Sequence, residues 1–200
     1  MVLAWQPSLF PQAGGEIERV QLDAECWVDR AVSWLPDADE VFSDLLARLP
    51  WSSRDRVMYG QRIAEPRLTA RWPADDGGPA LPSVLEDARR ALSTRYAVAF
   101  DSVGFNLYRD GADSVAWHRD RIPAALERPV VCLVSLGAPR PFRLRPRGGG
   151  PSTVFRLGDG DLLVTGGMTQ RRWEHAVPKI SGAAPRISVA YRHSTGAGPR

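Results

Sequence analysis

The chain has 200 residues, of which 44% are hydrophobic and 24% are charged, and its formal net charge is +3. These values are ordinary for a globular chain of one domain, and they exclude collagen-like and intrinsically disordered classes. No apolar run approaches the roughly 18 residues that cross a bilayer, and the first residues lack the basic and apolar regions of a signal peptide. Cys26 and Cys132 form no C-x-x-C pair. We therefore expect a cytoplasmic protein without a membrane segment or a disulfide framework.

The N-terminal half predicts two helices among extended segments. Residues 16–22 and 26–35 are short and strand-like, and residues 55–73 are also extended. Acidic residues in a first turn and Pro50 after a last turn predict a helix over residues 36–49. Apolar residues three and four positions apart predict a second helix over residues 82–95.

The C-terminal half, from residue 98, consists of short runs rich in β-branched and aromatic residues. Gly, Pro and Asp separate these runs at intervals of roughly 8–15 residues, which is typical of an antiparallel sandwich or barrel. The sequence therefore predicts an α+β, mainly β protein whose N-terminal helices pack on the major sheet.

One histidine precedes an aspartate by two positions in DSVAWHRD. In a strand, His118 and Asp120 would lie on the same face, where imidazole and carboxylate could bind one metal ion. His175 follows the hairpin-like DLLVTGGMTQ and could supply a third ligand from another strand. Two histidines and a carboxylate form the facial triad of non-haem iron(II) oxygenases, but zinc hydrolases use the same ligands. The triad alone does not decide the reaction.

Two arginines stand six residues apart in RISVAYR. In a fully extended strand, Arg186 and Arg192 would be about 20 Å apart on one face, so sheet curvature is needed to bring both toward one ligand. An arginine inside a barrel requires an anion. A dicarboxylic acid fits this requirement, and Asn106 and Tyr108 add an amide and a phenol donor. A surface salt bridge is the alternative for each arginine.

The densest basic segment runs into Gly148–Gly150. It is either a solvated hairpin tip or a nucleic-acid contact, and its arginines are Arg140, Arg143, Arg145 and Arg147.

The ordered set N-x-Y, H-x-D, H and R-x5-R resembles the AlkB family of iron(II)/2-oxoglutarate-dependent dioxygenases, which repair alkylated nucleic-acid bases. MYGQRIAEPRLTARW and GDGDLLVTGGMTQRRWEHAVPK also resemble segments of this family, and the likeness covers most of residues 50–193. It implies a double-stranded β-helix, or jelly roll, in a single domain over residues 1–200. An N-terminal extension and nucleotide-recognition lid would occupy about residues 1–97, and the jelly-roll core about residues 98–193.

The resemblance also implies two sets of site residues. The iron ligands, which carry catalysis, would be His118, Asp120 and His175. The residues that bind 2-oxoglutarate would be Asn106, Tyr108, Arg186 and Arg192. Arg186 would pair with the distal carboxylate of 2-oxoglutarate, and Arg192 would lie near the carboxylate that chelates the metal.

The activity implied is oxidative dealkylation of N-alkylated bases in DNA or RNA. It uses iron(II), 2-oxoglutarate and O2 and releases succinate, CO2 and an aldehyde. The reacting base must leave the duplex or lie in a single strand, and it would stack on His118. Trp51, Tyr59 and Trp72 are candidates for the opposite wall, with core packing as the alternative for each. We expect a monomer whose partner is alkylated DNA or RNA.

Two departures from the family pattern concern the cosubstrate and the base. Ser188 and Ala190 stand where several members have an amide and a threonine, and Arg121 and Ile122 follow the motif where some relatives have two acids. Base preference and the choice between DNA and RNA are therefore not implied. One alternative is a hydroxylase of the same fold that acts on a protein, lipid or small molecule. Another is a binding module without turnover.

Overall fold

The computed structural model describes residues 16–58, 61–73 and 80–194. No helix within these ranges is both long enough and apolar enough to cross a membrane. The strands and helices of the described chain are, in order, β1 (Glu18–Gln21), β2 (Cys26–Ala31), α1 (Ala38–Arg48), β3 (Ser52–Met58), β4 (Gln61–Trp72), α2 (Ser83–Tyr96), β5 (Ser102–Tyr108), β6 (Val115–His118), β7 (Val131–Gly137), β8 (Arg140–Pro146), β9 (Thr153–Leu157), β10 (Leu162–Gly167), α3 (Thr169–Arg172), β11 (Trp173–Val177) and β12 (Arg186–Arg192).

The strands form two sheets in which neighbouring strands are antiparallel. The large sheet has eight strands in the order β1-β2-β10-β7-β12-β5-β4-β3, and the small sheet has four in the order β6-β11-β8-β9. This architecture confirms the prediction of a mainly β chain built from antiparallel sheets. Four strands of the large sheet, β1 to β4, precede residue 97. The N-terminal half therefore adds strands to both edges of a sheet whose centre comes from the C-terminal half.

The two helices predicted from the sequence cover one side of the large sheet. α1 carries Asp39 and Glu40 in its first turn and Arg48 in its last, which suits the helix dipole. It buries Val41 and Leu45, four positions apart. α2 buries Leu85, Ala88 and Leu92 in the same way. These side chains join one core cluster with residues of the large sheet, which confirms that the helices pack on it.

β12 shows how the large sheet separates its two sides. Ile187, Val189 and Tyr191 are buried in the cluster under the helices. Because side chains alternate along a strand, the intervening residues face the small sheet. Those residues are Arg186, Ser188, Ala190 and Arg192.

A second apolar cluster joins the two sheets. Phe142, Leu144 and Phe155 of the small sheet pack with Tyr108 and Leu163 of the large sheet. Phe142, Tyr108 and Leu163 also line a cavity of about 770 Å³ between the sheets. The inter-sheet core therefore forms the floor of this cavity.

Candidate metal centre

Three residues that could bind a metal lie together in the cavity. β6 ends at His118, and His175 is its direct partner on β11. Asp120 follows two residues later, beyond the end of β6. One ligand atom from each residue lies within 4.8 Å of the others. The structure thus brings the predicted triad together, although the position of Asp120 depends on the turn after β6 and not on a shared strand face.

The side chains of the triad converge on one oxygen atom. Oδ1 of Asp120 is 3.9 Å from Nε2 of His118 and 3.7 Å from Nε2 of His175. Two ligand atoms of one metal ion, each at about 2.1 Å from it, are at most about 4.2 Å apart. Both separations fall within this limit, so a single ion can contact Asp120 together with either imidazole.

A backbone contact sets the tautomer of the first histidine. Nδ1 of His118 lies 2.9 Å from the carbonyl oxygen of Ala116, to which it donates a hydrogen bond. Nε2 is then the unprotonated nitrogen and keeps its lone pair for a metal. Phe142 stacks on the ring of His175, with centroids 5.2 Å apart, and so fixes the second imidazole.

The charges of the triad suit metal binding at neutral pH. Burial works to raise the pKa of Asp120, but the guanidinium of Arg192 and the two imidazoles outweigh it and lower that pKa to about 2. Burial lowers the pKa of His175 to about 4, although Asp120 opposes this shift. Asp120 is therefore anionic and His175 neutral, which are the states in which they bind metals.

Arg192 holds the other oxygen of the same carboxylate. Its Nε and Nη2 donate to Oδ2 of Asp120 at 2.9 and 2.8 Å. A Cβ atom on Gly104, which faces Arg192 from β5, would lie 2.8 Å from Nη1 of Arg192. The absence of a side chain at Gly104 therefore leaves room for the guanidinium beside the metal ligand. The predicted position of Arg192 near the metal-chelating carboxylate of 2-oxoglutarate stays a prediction.

Arg186 lies at the far end of β12 and is fully buried. Its Nε donates to Oγ of Ser135 at 2.8 Å, while Nη1 and Nη2 have no hydrogen-bond partner among the described residues. Burial lowers the pKa of Arg186 to about 10, so the group is still charged at neutral pH. A buried cation with two unpaired donors is unfavourable without an anion. The guanidinium is 5.4 Å from the ring of Tyr108, which lines the cavity.

Asn106 also faces the cavity, but its amide oxygen already has a partner. Oδ1 of Asn106 accepts a hydrogen bond of 3.0 Å from Nε of Arg67, and Arg67 pairs with Glu65 at 2.9 Å. Sequence reasoning assigned no role to Arg67. Polar residues at alternate positions of β4 could have indicated its role, because alternate side chains lie on the same face of a strand. These residues are Arg67, Thr69 and Arg71, and all three line the cavity.

The predicted substrate aromatics differ in position. Trp51 packs against the core cluster under the helices, and its indole N–H donates to the carbonyl of Leu46; it does not line the cavity. Trp72 packs against the same cluster but reaches the cavity edge. Tyr59 lies outside the described residues. His118, the proposed other wall, lines the cavity. The substrate roles of these residues stay predictions.

The basic segment near Gly148–Gly150 is not one surface. Arg140 is 1% exposed, and its guanidinium donates to the carbonyls of Asp110, Asp113 and Pro178. Its grouping with the exposed arginines was wrong, because the density of arginines along the sequence does not show which side chain will be surrounded by backbone carbonyls. Arg143, Arg145 and Arg147 remain on the outer side of the protein, and none of them lines the cavity.

The donors present fit a metal ion and a dicarboxylate. Two imidazole nitrogens and one carboxylate oxygen converge, and they leave part of the coordination sphere to face the cavity. The unpaired N–H groups of Arg186 require an anionic partner. Fold and site together define a mainly β protein with a His-Asp-His cluster that can hold a metal ion and a buried arginine with two unpaired N–H groups between two antiparallel sheets.

Comparison with known proteins gives the family. The model of the 2OG-Fe(II) oxygenase superfamily matches residues 37–193. Alpha-ketoglutarate-dependent dioxygenase alkB homolog 3 of Bos taurus is 32% identical over 178 residues, which cover 79% of this chain and 62% of that protein. DNA oxidative demethylase ALKBH2 of Homo sapiens is 30% identical over 181 residues, covering 78% of this chain and 68% of that protein. The chain belongs to the 2OG-Fe(II) oxygenase superfamily and, within it, to the AlkB family. The predicted resemblance is confirmed.

A solved structure agrees on the fold. The structure of OsALKBH1 has a TM-score of 0.61 and 15% sequence identity, and the match covers 88% of this chain and 100% of that one. At this identity the likeness shows the fold alone. The chain spans less than two thirds of the length of the bovine alkB homolog 3 protein.

Proposed function

We propose that this protein is an iron(II)- and 2-oxoglutarate-dependent dioxygenase that removes alkyl groups from N-alkylated bases in DNA or RNA. The observation that carries the proposal is the convergence of His118, Asp120 and His175 within 4.8 Å in a cavity of about 770 Å³. With 2-oxoglutarate and O2, an iron(II) ion held there supplies the oxidising power to hydroxylate an alkyl carbon, with release of succinate and CO2. The hydroxylated group then leaves the base nitrogen as an aldehyde.

The protein's own residues supply position and charge. Asp120 is held ionised, with one oxygen toward the metal position and the other on Arg192. Arg186 offers two buried N–H donors to the distal carboxylate of 2-oxoglutarate. Asn106 and Tyr108 line the cavity between these two arginines and would orient the cosubstrate. Phe142 and Leu163 form the apolar floor of the cavity and keep water from the part of the site that they line.

The choice of nucleic acid as substrate rests on the relatives. Human ALKBH2 is named a DNA oxidative demethylase, and the described part of the cavity edge carries Trp72 together with Arg119 and Arg121. An aromatic ring can stack on a base, and arginines can contact its phosphates. The proposed substrates are therefore N-alkylated bases of both DNA and RNA.

For the fold, we propose that the two sheets are the halves of a double-stranded β-helix in one domain over residues 1–200. The N-terminal extension and the nucleotide-recognition lid would occupy about residues 1–97, and the core about residues 98–193. The apolar cluster between the sheets supports this arrangement. We further propose that the protein acts as a cytoplasmic monomer, which light scattering after size-exclusion chromatography and localisation of a tagged chain would test. The burial of both free cysteines agrees with a reducing compartment.

The central test is a coupled assay. The protein is incubated aerobically with iron(II), 2-oxoglutarate and single-stranded oligonucleotides that carry methylated adenine, methylated cytosine or etheno adducts, as DNA and as RNA. We expect succinate and aldehyde in equal amounts with at least one of these substrates, and neither product with His118→Ala. A wild-type protein that forms no succinate with any of them would contradict the proposal.

The alternative is a hydroxylase of the same family that acts on a protein, lipid or small molecule. It shares every metal and cosubstrate residue, so the same assay separates the two. Succinate formation without loss of the alkyl group from any oligonucleotide would favour this alternative.

A further inference from the structure

The outer side of the small sheet carries an excess of positive charge. His118, His175 and Leu144 point inward, so the alternate residues of β6, β11, β8 and β9 face outward. We call the surface formed by three outward arginines and the β8–β9 hairpin the outer basic face. The strand arginines are Arg143, Arg145 and Arg156, and Arg147 belongs to the hairpin. Glu174 is the only acidic residue in the four strands.

Three of these arginines are available for a partner. Glu174 neutralises Arg145 through a contact of 2.5 Å, and Arg145 also lies 4.1 Å from the ring centroid of Trp117. Arg143, Arg147 and Arg156 are exposed and form no ion pair with any residue that the structure describes. Arg143 is directly opposite Val154, so Arg156 is its diagonal neighbour across the strand pair.

The hairpin between β8 and β9 leaves its backbone open to an approaching ligand. Gly148, Gly149 and Gly150 have φ values of 89°, 109° and 111°, which side chains rarely adopt. A Cβ atom at any of the three would meet nothing within 4 Å. The N–H of Gly149 donates to the carbonyl of Pro146 at 3.2 Å, but an anionic ligand can approach the side-chain-free backbone of the tip beside the exposed Arg147.

The outer basic face is connected to the mouth of the cavity. The backbone N–H of Arg147 donates to the carbonyl of Arg172 at 2.8 Å. The neighbouring carbonyl of Arg171 accepts a hydrogen bond of 3.4 Å from Arg119, which lines the cavity. α3, which precedes β11, thus bridges the cavity mouth and the hairpin. A chain that leaves the cavity past Arg119 meets positive charge along this route.

We propose that the outer basic face binds the phosphodiester backbone of the nucleic-acid strand that carries the reacting base. This inference rests on the proposed function and adds a contact surface outside the cavity. Diagonal neighbours across an antiparallel strand pair, such as Arg143 and Arg156, are about 7–8 Å apart, so their side chains can follow a repeating series of charges. A phosphodiester backbone is such a series, and bound arginines release its counterions.

The test compares two triple variants with the same change in net charge. The first is Arg143→Gln, Arg147→Gln and Arg156→Gln. The matched control is Arg30→Gln, Arg48→Gln and Arg90→Gln, whose side chains are 44%, 52% and 70% exposed and lie away from the cavity and the outer basic face. Circular dichroism and the Tm check that both variants are folded.

Binding is measured by fluorescence anisotropy with an unmodified, labelled 20-residue oligothymidylate at several salt concentrations. Each lost single-strand phosphate contact reduces the slope of log K against log salt by about 0.7. We expect the first variant to lose roughly 2 from this slope and to bind at least tenfold more weakly than the control at low salt. Equal binding by the two variants, or no binding by the wild type, would overturn the proposal.

A second readout separates this proposal from the proposed function. The kcat/KM for a methylated 20-residue oligonucleotide should fall in the first variant, while that for a methylated trinucleotide should stay unchanged. A parallel fall for both lengths would refute a backbone contact outside the cavity. If the wild type dealkylates neither substrate, the proposed function fails, and the anisotropy comparison still decides whether the outer basic face binds a strand.

Discussion

The two sides of the large sheet are built from alternate residues of the same strands, yet they serve different purposes. On the helix side, side chains such as Leu136, Val189 and Tyr191 are fully buried and apolar. On the opposite side, Ser188 and Arg192 of β12 line the cavity, and the buried Arg186 keeps two N–H groups without a partner among the described residues. A one-residue step along β12 therefore moves from a residue that stabilises the fold to one that prepares the site.

The largest effect is expected from the cavity side. His118→Ala removes one of three metal ligands, so we expect iron(II) binding and succinate formation to be abolished. Circular dichroism should show an unchanged fold, because His118 is not part of either apolar cluster. Anaerobic calorimetry with iron(II) and a succinate assay measure the two effects. Retained succinate formation would remove His118 from the metal centre.

Arg186→Met should weaken the binding of 2-oxoglutarate without lowering the stability of the protein that lacks the cosubstrate. Loss of a buried, charge-paired partner costs about 2–5 kcal/mol, so the Kd for 2-oxoglutarate should rise from roughly 30-fold to several thousand-fold. The protein without cosubstrate should be as stable as the wild type or more stable, because a buried charge with two unpaired donors is removed. Calorimetry and urea denaturation measure both. Unchanged affinity for 2-oxoglutarate would contradict the assignment.

Leu136→Ala tests the helix side. Leu136 is fully buried, and truncation should lower the free energy of unfolding by about 2–5 kcal/mol. The Kd for 2-oxoglutarate should stay within about twofold at temperatures where the variant is folded. Leu133→Ala is the matched control on β7, because Leu133 is only half-buried and lines the cavity; its loss of stability should be smaller. Equal losses would mean that the two sides share one core.

Ser135→Ala should have an intermediate effect on the cavity side. Oγ of Ser135 accepts the hydrogen bond from Nε of Arg186 at 2.8 Å, and its removal leaves a third unpaired donor on a buried guanidinium. We expect a loss of about 1–3 kcal/mol of stability and a several-fold weaker affinity for 2-oxoglutarate. Ser43→Ala on the exposed side of α1 is the control. A variant identical to wild type in both measurements would show that Ser135 does not orient Arg186.

The smallest expected effect is a change of stability with pH, and it concerns Glu86 of α2 on the helix side of the large sheet. Hydrogen bonding to Arg89, despite burial, lowers the pKa of Glu86 to about 2 from its ordinary 4.5. A carboxyl whose pKa falls on folding stabilises the protein above its unfolded pKa, and this stabilisation is lost as pH falls toward 2. Because Glu86 is partly exposed, the contribution should be below about 1 kcal/mol. The difference in unfolding free energy between wild type and Glu86→Gln should shrink between pH 7 and pH 3; an unchanged difference would contradict the shift.

Two short motifs identified part of the site before any strand pairing was known. R-x5-R places Arg186 and Arg192 on one side of β12, because side chains alternate along a strand. H-x-D identified His118 and Asp120, although the turn after β6, and not spacing along a strand, brings Asp120 to the metal position. The pairing of His175 with His118 was harder to predict, because it depends on how β6 and β11, which are distant along the chain, pair in the small sheet. Arg140 was assigned wrongly because its three acceptors are backbone carbonyls, which have no signature in a sequence. Membership of β1 and β2 in the large sheet was likewise not predicted, because it depends on the pairing of β2 with β10, which lies far along the chain.

The two oxygens of the Asp120 carboxylate have different partners, and this difference has a thermodynamic consequence. One oxygen faces the two imidazoles, and the other holds Arg192 at the end of the strand that also carries Arg186. A ligand that draws Arg192 away changes the charge that Asp120 presents to the metal position. Loading of the metal and loading of the cosubstrate should therefore be linked, and linkage is reciprocal: the factor by which iron(II) changes the affinity for 2-oxoglutarate equals the factor by which 2-oxoglutarate changes the affinity for iron(II).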